Sequence, residues 1–125
     1  MIFLDTHVLV WLYEGLLNKF SQKAKLALEE NELLISPMVE LELTFLHEIG
    51  RLNVSGPDII RYLDSHIGLS ISRLDFYRIV EEANALTWTR DPFDRLIVAQ
   101  AQALQVPLLS KDSMLNKHCD LVFWK

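Results

Sequence analysis

Four acidic residues of this 125-residue chain stand where a carboxylate has chemical consequences. Asp5 closes the apolar run Met1–Leu4, and Asp112 comes just past the run Val106–Leu109. Glu42 interrupts the apolar face of a helix that follows Leu33–Ile35, and Asp94 lies in the first turn of a helix opened by Asp91-Pro92. In an open parallel sheet, ligands bind in the crevice beyond the carboxyl ends of the strands. Four carboxylates gathered there would repel one another, at about 3 kcal/mol per pair for a ~5 Å separation and an effective dielectric of about 20. Such a cluster is a seat for a hard divalent cation, which prefers oxygen ligands.

Periodicity selects among neighbouring acids. Glu40 and Glu42 point roughly 200° apart at about 100° per residue. Glu40 falls in with Thr44, His47 and Arg51, a solvated face, whereas Glu42 falls amid Met38, Phe45, Leu46 and Ile49. A glutamate on an apolar stripe needs a partner, since burying it alone is costly. The ordinary alternative is a buried ion pair with an arginine. Asp91, just before Pro92, is an excellent N-cap, while Asp94 at N3 shares a face with Ile97, Val98 and Ala101 and turns toward the core. Asp94 is therefore assigned to the site and Asp91 to the cap. Thr6 and Ser110 are hydroxyls beside Asp5 and Asp112 that could orient a carboxylate, although Thr6 also suits the cap of the first helix.

The other polar and aromatic residues have plainer roles. His7, His47, His66 and His118 show no metal-ligand spacing, and His7 reads as a helix-start packing residue. Trp11, Trp88 and Trp124 read as core or interface residues. Cys119 is the only cysteine, so an intrachain disulfide and cysteine-based zinc sites are excluded.

The elements that must position these groups alternate. Met1–Leu4, Leu33–Ile35, Val106–Leu109 and Leu121–Trp124 have the continuous apolar character of strands buried on both faces, and Leu69–Ser72 is a possible short strand. Between them, helices are expected from Thr6 to Tyr13 with Gly15 as a stop, from Gln22 to Asn31 after a Ser21 cap, and from Pro37 toward Gly50. Further helices are expected at Pro57–Ser65, Asp75–Leu86 and from Pro92 to about Leu104. Alternation of this kind implies a parallel sheet covered on both faces. Helix content is high for that plan, so two of the middle helices are expected to form an excursion from the sheet.

Size and composition set the remaining bounds. The chain is expected to form one domain over residues 1–125, and its composition, 50% hydrophobic and 23% charged, is globular rather than disordered. Its apolar runs fall short of the ~20 residues of a membrane span. With no basic segment ahead of the first apolar run, no signal peptide is expected, and a cytoplasmic setting follows. The net charge of −5 argues against a protein that grips nucleic acid by a broad basic face. A metal-dependent nuclease is not excluded, because its cation can meet the phosphate.

The chain resembles the PIN-domain family and, within it, the VapC-like toxins of bacterial toxin–antitoxin pairs. The matching stretches are Phe3–Trp11, Ile35-Ser36-Pro37 through Glu42-Leu43, Arg90–Ala101 and Pro107–Asp112, of which the third is the most specific. The resemblance implies an α/β PIN-like fold: a central parallel sheet of four to five strands with helices on both faces. It carries the family's acidic quartet onto Asp5, Glu42, Asp94 and Asp112. It further implies an endoribonuclease that cuts single-stranded RNA or RNA loops with Mg2+ or Mn2+ held by Asp5, Asp94 and Asp112. Glu42 would then orient or deprotonate water, and Arg90 and Arg95 become candidates for phosphate contact. A small cognate antitoxin and a homodimer are the implied partners. Two departures bear on substrate choice: Leu41 stands where related toxins often have tryptophan, and Trp88-Thr89-Arg90 stands where a histidine is common.

Three rivals compete. A phosphatase of the haloacid dehalogenase type needs an aspartate at position 7, which is His7. A phospho-acceptor receiver domain has a use for Lys111 but lacks its acidic pair near the first strand. A PIN fold serving as a binding or regulatory module, with weak or no nuclease activity, is the strongest alternative, and the intact carboxylates count against it.

Overall fold

The computed structural model describes residues 1–125. Five parallel strands form one sheet: β1 (Ile2–Leu4), β2 (Leu33–Ile35), β3 (Ser70–Ile71), β4 (Leu108–Leu109) and β5 (Val122–Phe123), in the order β3-β2-β1-β4-β5. The central strand β1 is apolar throughout, and its three residues are all buried. From β1 the chain builds outward to β2 and β3, then returns to add β4 and β5 on the other side. The point where that direction reverses lies between β1 and β4, and the crevice beyond their carboxyl ends is where such a sheet holds a ligand. Asp5 follows β1 directly, and Ser110 follows β4.

Seven α-helices connect the strands: α1 (Thr6–Glu14), α2 (Gln22–Glu30), α3 (Pro37–Glu48), α4 (Gly56–Ile67), α5 (Phe76–Ala83), α6 (Pro92–Leu104) and α7 (Ser113–His118). Leu17–Lys19 adds a 3-10 turn. Their ends follow local chemistry. Ser21, Ser36 and Ser55 cap α2, α3 and α4 with their hydroxyls, and proline takes an early position in α3, α4 and α6. Gly15 ends α1 in the left-handed conformation (φ 72°), which a side chain at that position would strain. No helix is long and apolar enough to cross a membrane.

Three sequence expectations change here. Asp5 holds the N-cap position of α1 and Thr6 is the first helical residue, so the hydroxyl of Thr6 is free for another partner. Helix α7 was not anticipated; six residues are too few to show a periodic pattern, and its signal is the cap itself, Asp112. The middle helices are not an excursion. Val39 and Leu43 of α3, Ile59 and Leu63 of α4, and Ile79 and Ala83 of α5 all enter the one core of 29 buried residues with the strands.

The contact of α3 with α4 is close because Gly56 has no side chain. A Cβ there would stand 3.0 Å from the Glu40 carbonyl oxygen, 3.0 Å from Leu43 Cβ and 3.2 Å from the Thr44 nitrogen. These neighbours belong to the body of α3 and cannot rotate away. Gly56→Ala should therefore destabilise the fold by about 1–2 kcal/mol through overpacking. Urea denaturation would read this as a lower midpoint at unchanged slope; an unchanged or raised midpoint would show that the helices separate freely.

Candidate functional site

The residues beyond the carboxyl ends of β1 and β4 surround a cavity of about 540 Å3. Its lining includes Asp5, Glu42, Asp91, Asp94 and Asp112, together with His7, Trp11 and Lys111. Each acid arrives from a different local structure. Asp5 is the cap of α1, Glu42 is mid-helix on α3, Asp91 and Asp94 sit at the start of α6, and Asp112 caps α7. Helix N-termini carry partial positive charge, so three of the entering chain segments offer some compensation to the acids they bring.

Hydrogen bonds fix the orientation of these groups. The Thr6 N–H donates to Asp5 Oδ1 at 2.8 Å, and Ser110 Oγ donates to Asp5 Oδ2 at 2.6 Å. Ser110 Oγ in turn accepts from the Asp112 N–H at 3.1 Å, so one buried hydroxyl ties the ends of β1 and β4 together. Thr6 Oγ1 donates to Glu42 Oε1 at 2.5 Å, linking α1 to α3. Asp112 Oδ1 accepts from the N–H groups of Met114 and Leu115, and Asp91 Oδ1 from those of Phe93 and Asp94. Asp112 and Asp91 thus use one oxygen for capping and keep the other uncommitted. Asp94 makes no side-chain hydrogen bond of this kind.

The electrostatics follow from burial and crowding. Burial pushes the Asp5 carboxyl above the usual range, against the pull of the Ser110 and Thr6 hydrogen bonds. Glu42 is also raised, first by burial and then by the charge of Asp5, with the Thr6 hydroxyl opposing. Asp94 is pushed up to about 7 by burial and by the charges of Asp5, Asp91, Glu42 and Asp112. A cation in this cavity would relieve the same repulsion, and an all-carboxylate donor set fits Mg2+ or Mn2+ in kind. As arranged, no three acidic, histidine or cysteine side chains stand close enough together to form a metal site. The donors match the ion in chemistry, and binding it requires them to draw in.

The PIN domain family model matches residues 2–121. The chain belongs to the PIN domain family. Two solved structures have the same fold. One is a chain of a toxin–antitoxin complex from Klebsiella pneumoniae, with a TM-score of 0.67 and 20% identity over 98% of this chain and 96% of that one. The other belongs to VapBC2 from Rickettsia felis bound to a DNA fragment from their promoter, with a TM-score of 0.69 and 20% identity over the full length of both chains. No curated protein matches the chain.

Within this PIN domain, several residues differ from their sequence reading. Asp91 caps α6 as expected but also lines the cavity, and its charge disfavours ionisation of Asp94. The buried stripe of α3 is Val39, Leu43 and Leu46; Phe45 and Ile49 are exposed, so Glu42 lies at the edge of the core and opens into the cavity. Glu40 is half-buried rather than solvated, outside the cavity lining. Arg95 points away, donating to the carbonyls of Ala83 at 2.9 Å and of Thr89 and Asn84 at 3.4 Å, where it closes the turn between α5 and α6. Arg90 is exposed and does not line the cavity. The basic residues that do are His7 and Lys111, and Trp11 forms part of the wall. His7 and Trp11 lie one turn apart on α1, four positions by count, and that spacing was the available signal.

The raised Asp94 gives this PIN domain a distinctive pH response. Its carboxyl holds a proton up to about 7 in the folded protein and titrates near 3.8 when free. Between those values the folded state binds more protons, so stability falls as pH rises through the interval. Asp94 is partly open to solvent, and screening limits the effect to about 1–2 kcal/mol. In chelator, the melting temperature should drop by roughly 3–6 °C between pH 5 and pH 8, and Asp94→Asn should flatten the slope. A wild-type melting temperature that stays level or climbs over this range would contradict the assigned environment.

Proposed function

We propose that this PIN domain, residues 1–125 acting as a unit, is a metal-dependent endoribonuclease of single-stranded RNA or RNA loops and the toxin of a toxin–antitoxin pair. The observation that carries the reading is the gathering of Asp5, Glu42, Asp94 and Asp112 around one cavity, with three of them raised above the ordinary carboxylate range. Asp5, Asp94 and Asp112 would hold Mg2+ or Mn2+. When bound, the ion supplies positive charge against the negative charge that builds on the scissile phosphate.

The chain's own groups carry the remaining steps. Asp5, held on both oxygens by Thr6 and Ser110, sets the position of the phosphate relative to β1 and β4. Glu42 has Oε1 occupied by the Thr6 hydroxyl, which leaves Oε2 to take a proton from the attacking water. Its raised affinity for a proton suits a general base. Asp112 lines the cavity while the N-terminus of α7 holds its Oδ1, which leaves Oδ2 available to a ligand. Lys111 stands at the rim, placed to meet a non-bridging phosphate oxygen.

The two structural relatives come from toxin–antitoxin complexes, and this supports a small antitoxin as partner. An antitoxin segment that placed an arginine among the four carboxylates would satisfy their charge and block the phosphate path together. A homodimer is proposed on the family resemblance. The exposed residues Leu41, Phe45 and Ile49 recur every four positions on α3, with Phe45 against Phe93 at 6.0 Å between ring centroids, and support a protein contact on that face. A cytoplasmic location accompanies this reading.

The alternative, a binding or regulatory module, draws support from the absence of a preformed three-ligand metal site. Cleavage separates the two. Purified protein should cut a labelled single-stranded RNA with Mn2+ or Mg2+ and lose activity in chelator. Asp5→Asn and Asp94→Asn should abolish cutting, and Glu42→Gln should slow it by about 10^2–10^4-fold. All three variants should still fold, because neutralising a crowded carboxylate relieves repulsion. Wild-type rates in either aspartate variant, under matched metal conditions, would favour the regulatory module.

A further inference from the structure

The six lysines of the chain fall in two short segments at its ends, Lys19, Lys23 and Lys25 in one and Lys111, Lys117 and Lys125 in the other. The 85 residues between Lys25 and Lys111 carry arginine as their only strongly basic side chain. Tertiary packing brings these segments together. The Trp124 ring lies 6.0 Å from Trp11 and 5.6 Å from Phe20, and Ser21 Oγ donates to the Trp124 carbonyl. Lys23 Nζ sits 5.5 Å from the centre of the Phe123 ring.

Between the segments runs a second cavity, of about 590 Å3, whose lining includes Lys23, Lys111, Ser113, Asn116, Trp124 and Lys125. Lys23, Lys111 and Lys125 are all exposed, and Asp120 is the one acidic side chain in the same lining. Lys111 lines this groove and the carboxylate cavity alike, so the two adjoin at its side chain. Against a net charge of −5, a groove of net positive charge opening from the acidic cavity is a local reversal. Phosphate is the partner whose charge repeats along a chain and needs both features in series.

We propose that this lysine groove holds the phosphate backbone of the RNA strand flanking the cleaved bond, a role that rests on the nuclease reading above. The strand leaves the carboxylate cavity past Lys111 and runs on between Lys23 and Lys125. The contacts are electrostatic, so the groove gives affinity without choosing a base. The groove therefore sets how much RNA beyond the cut contributes to binding, and the carboxylates set the chemistry.

The test pairs binding with cleavage for the whole chain. The double variant Lys23→Glu/Lys125→Glu leaves Lys111 and every cavity acid in place. A roughly 12-nucleotide single-stranded RNA should bind it at least ~10-fold more weakly by fluorescence anisotropy, and the dependence of log affinity on log salt should lose about one unit of slope. With Mn2+, KM for this RNA should rise to the same extent while kcat stays within ~2-fold, and a dinucleotide confined to the carboxylate cavity should show no change. Arg61→Glu/Arg73→Glu, with the same change in net charge elsewhere, should leave binding of the RNA within ~2-fold of wild type. Cleavage with an unchanged KM in the lysine variant overturns the groove and spares the nuclease. RNA binding that depends on the two lysines without any cleavage overturns the nuclease reading and leaves the groove as an RNA site. Equal losses in the arginine control, no RNA binding by the wild type, or loss of a co-purifying protein with RNA affinity intact would each overturn the groove.

Discussion

Mutual repulsion among carboxylates is the constraint around which this fold is organised. Asp5, Glu42, Asp91, Asp94 and Asp112 face one cavity, and the charges of the other four all press on Asp94. Nothing in the hydrophobic core requires them there. The core is complete without them: β1 and β4 are fully buried, and helices α3 to α6 pack onto the sheet through apolar residues. The acids sit where five short strands expose their carboxyl ends, so the sheet acts as the fixed frame on which an unfavourable charge cluster is mounted. A native state with a margin of only several kcal/mol can carry such a cluster if each charge is partly compensated.

Compensation is local and uses the helix ends. Asp5, Asp91 and Asp112 each cap a helix, so the backbone N–H groups that secondary structure leaves unpaired are spent on them. Thr6 and Ser110 supply the two side-chain donors, one to Glu42 and one to Asp5. Asp94 has neither kind of partner, and burial with four neighbouring charges pushes it up to about 7. The same geometry that holds the acids in place therefore leaves Asp94 without a compensating hydrogen bond.

The sheet plan was legible because buried parallel strands read as continuous apolar runs: Met1–Leu4 and Leu33–Ile35 announce β1 and β2 without ambiguity. The cavity acids were legible because Asp5 and Asp112 follow such runs, and because Asp91-Pro92 places Asp94 in a first turn. Other features were out of reach. Helix α7 is too short for a period to appear, and its cap Asp112 reads equally well as a strand end. The phase of α3 was misjudged, since Phe45 and Ile49 look like core residues in sequence and face solvent in the fold. Arg95 was a candidate for phosphate contact in sequence, and in the fold it is engaged by the carbonyls of Ala83, Asn84 and Thr89. The joining of the two lysine segments depends on long-range packing of Trp11, Phe20 and Trp124, which no local pattern encodes.

On the proposed function, a divalent cation would displace the proton that Asp94 holds. Isothermal titration of Mn2+ into the protein at pH 6.5, in two buffers of different ionisation enthalpy, measures this directly. With Asp94 holding its proton up to about 7, cation binding should release close to one proton per ion, because the ligand must deprotonate to bind. Asp94→Asn should bind more weakly and release fewer protons per ion. Tight Mn2+ binding with no proton release in the wild type, or the same release in Asp94→Asn, would contradict the account.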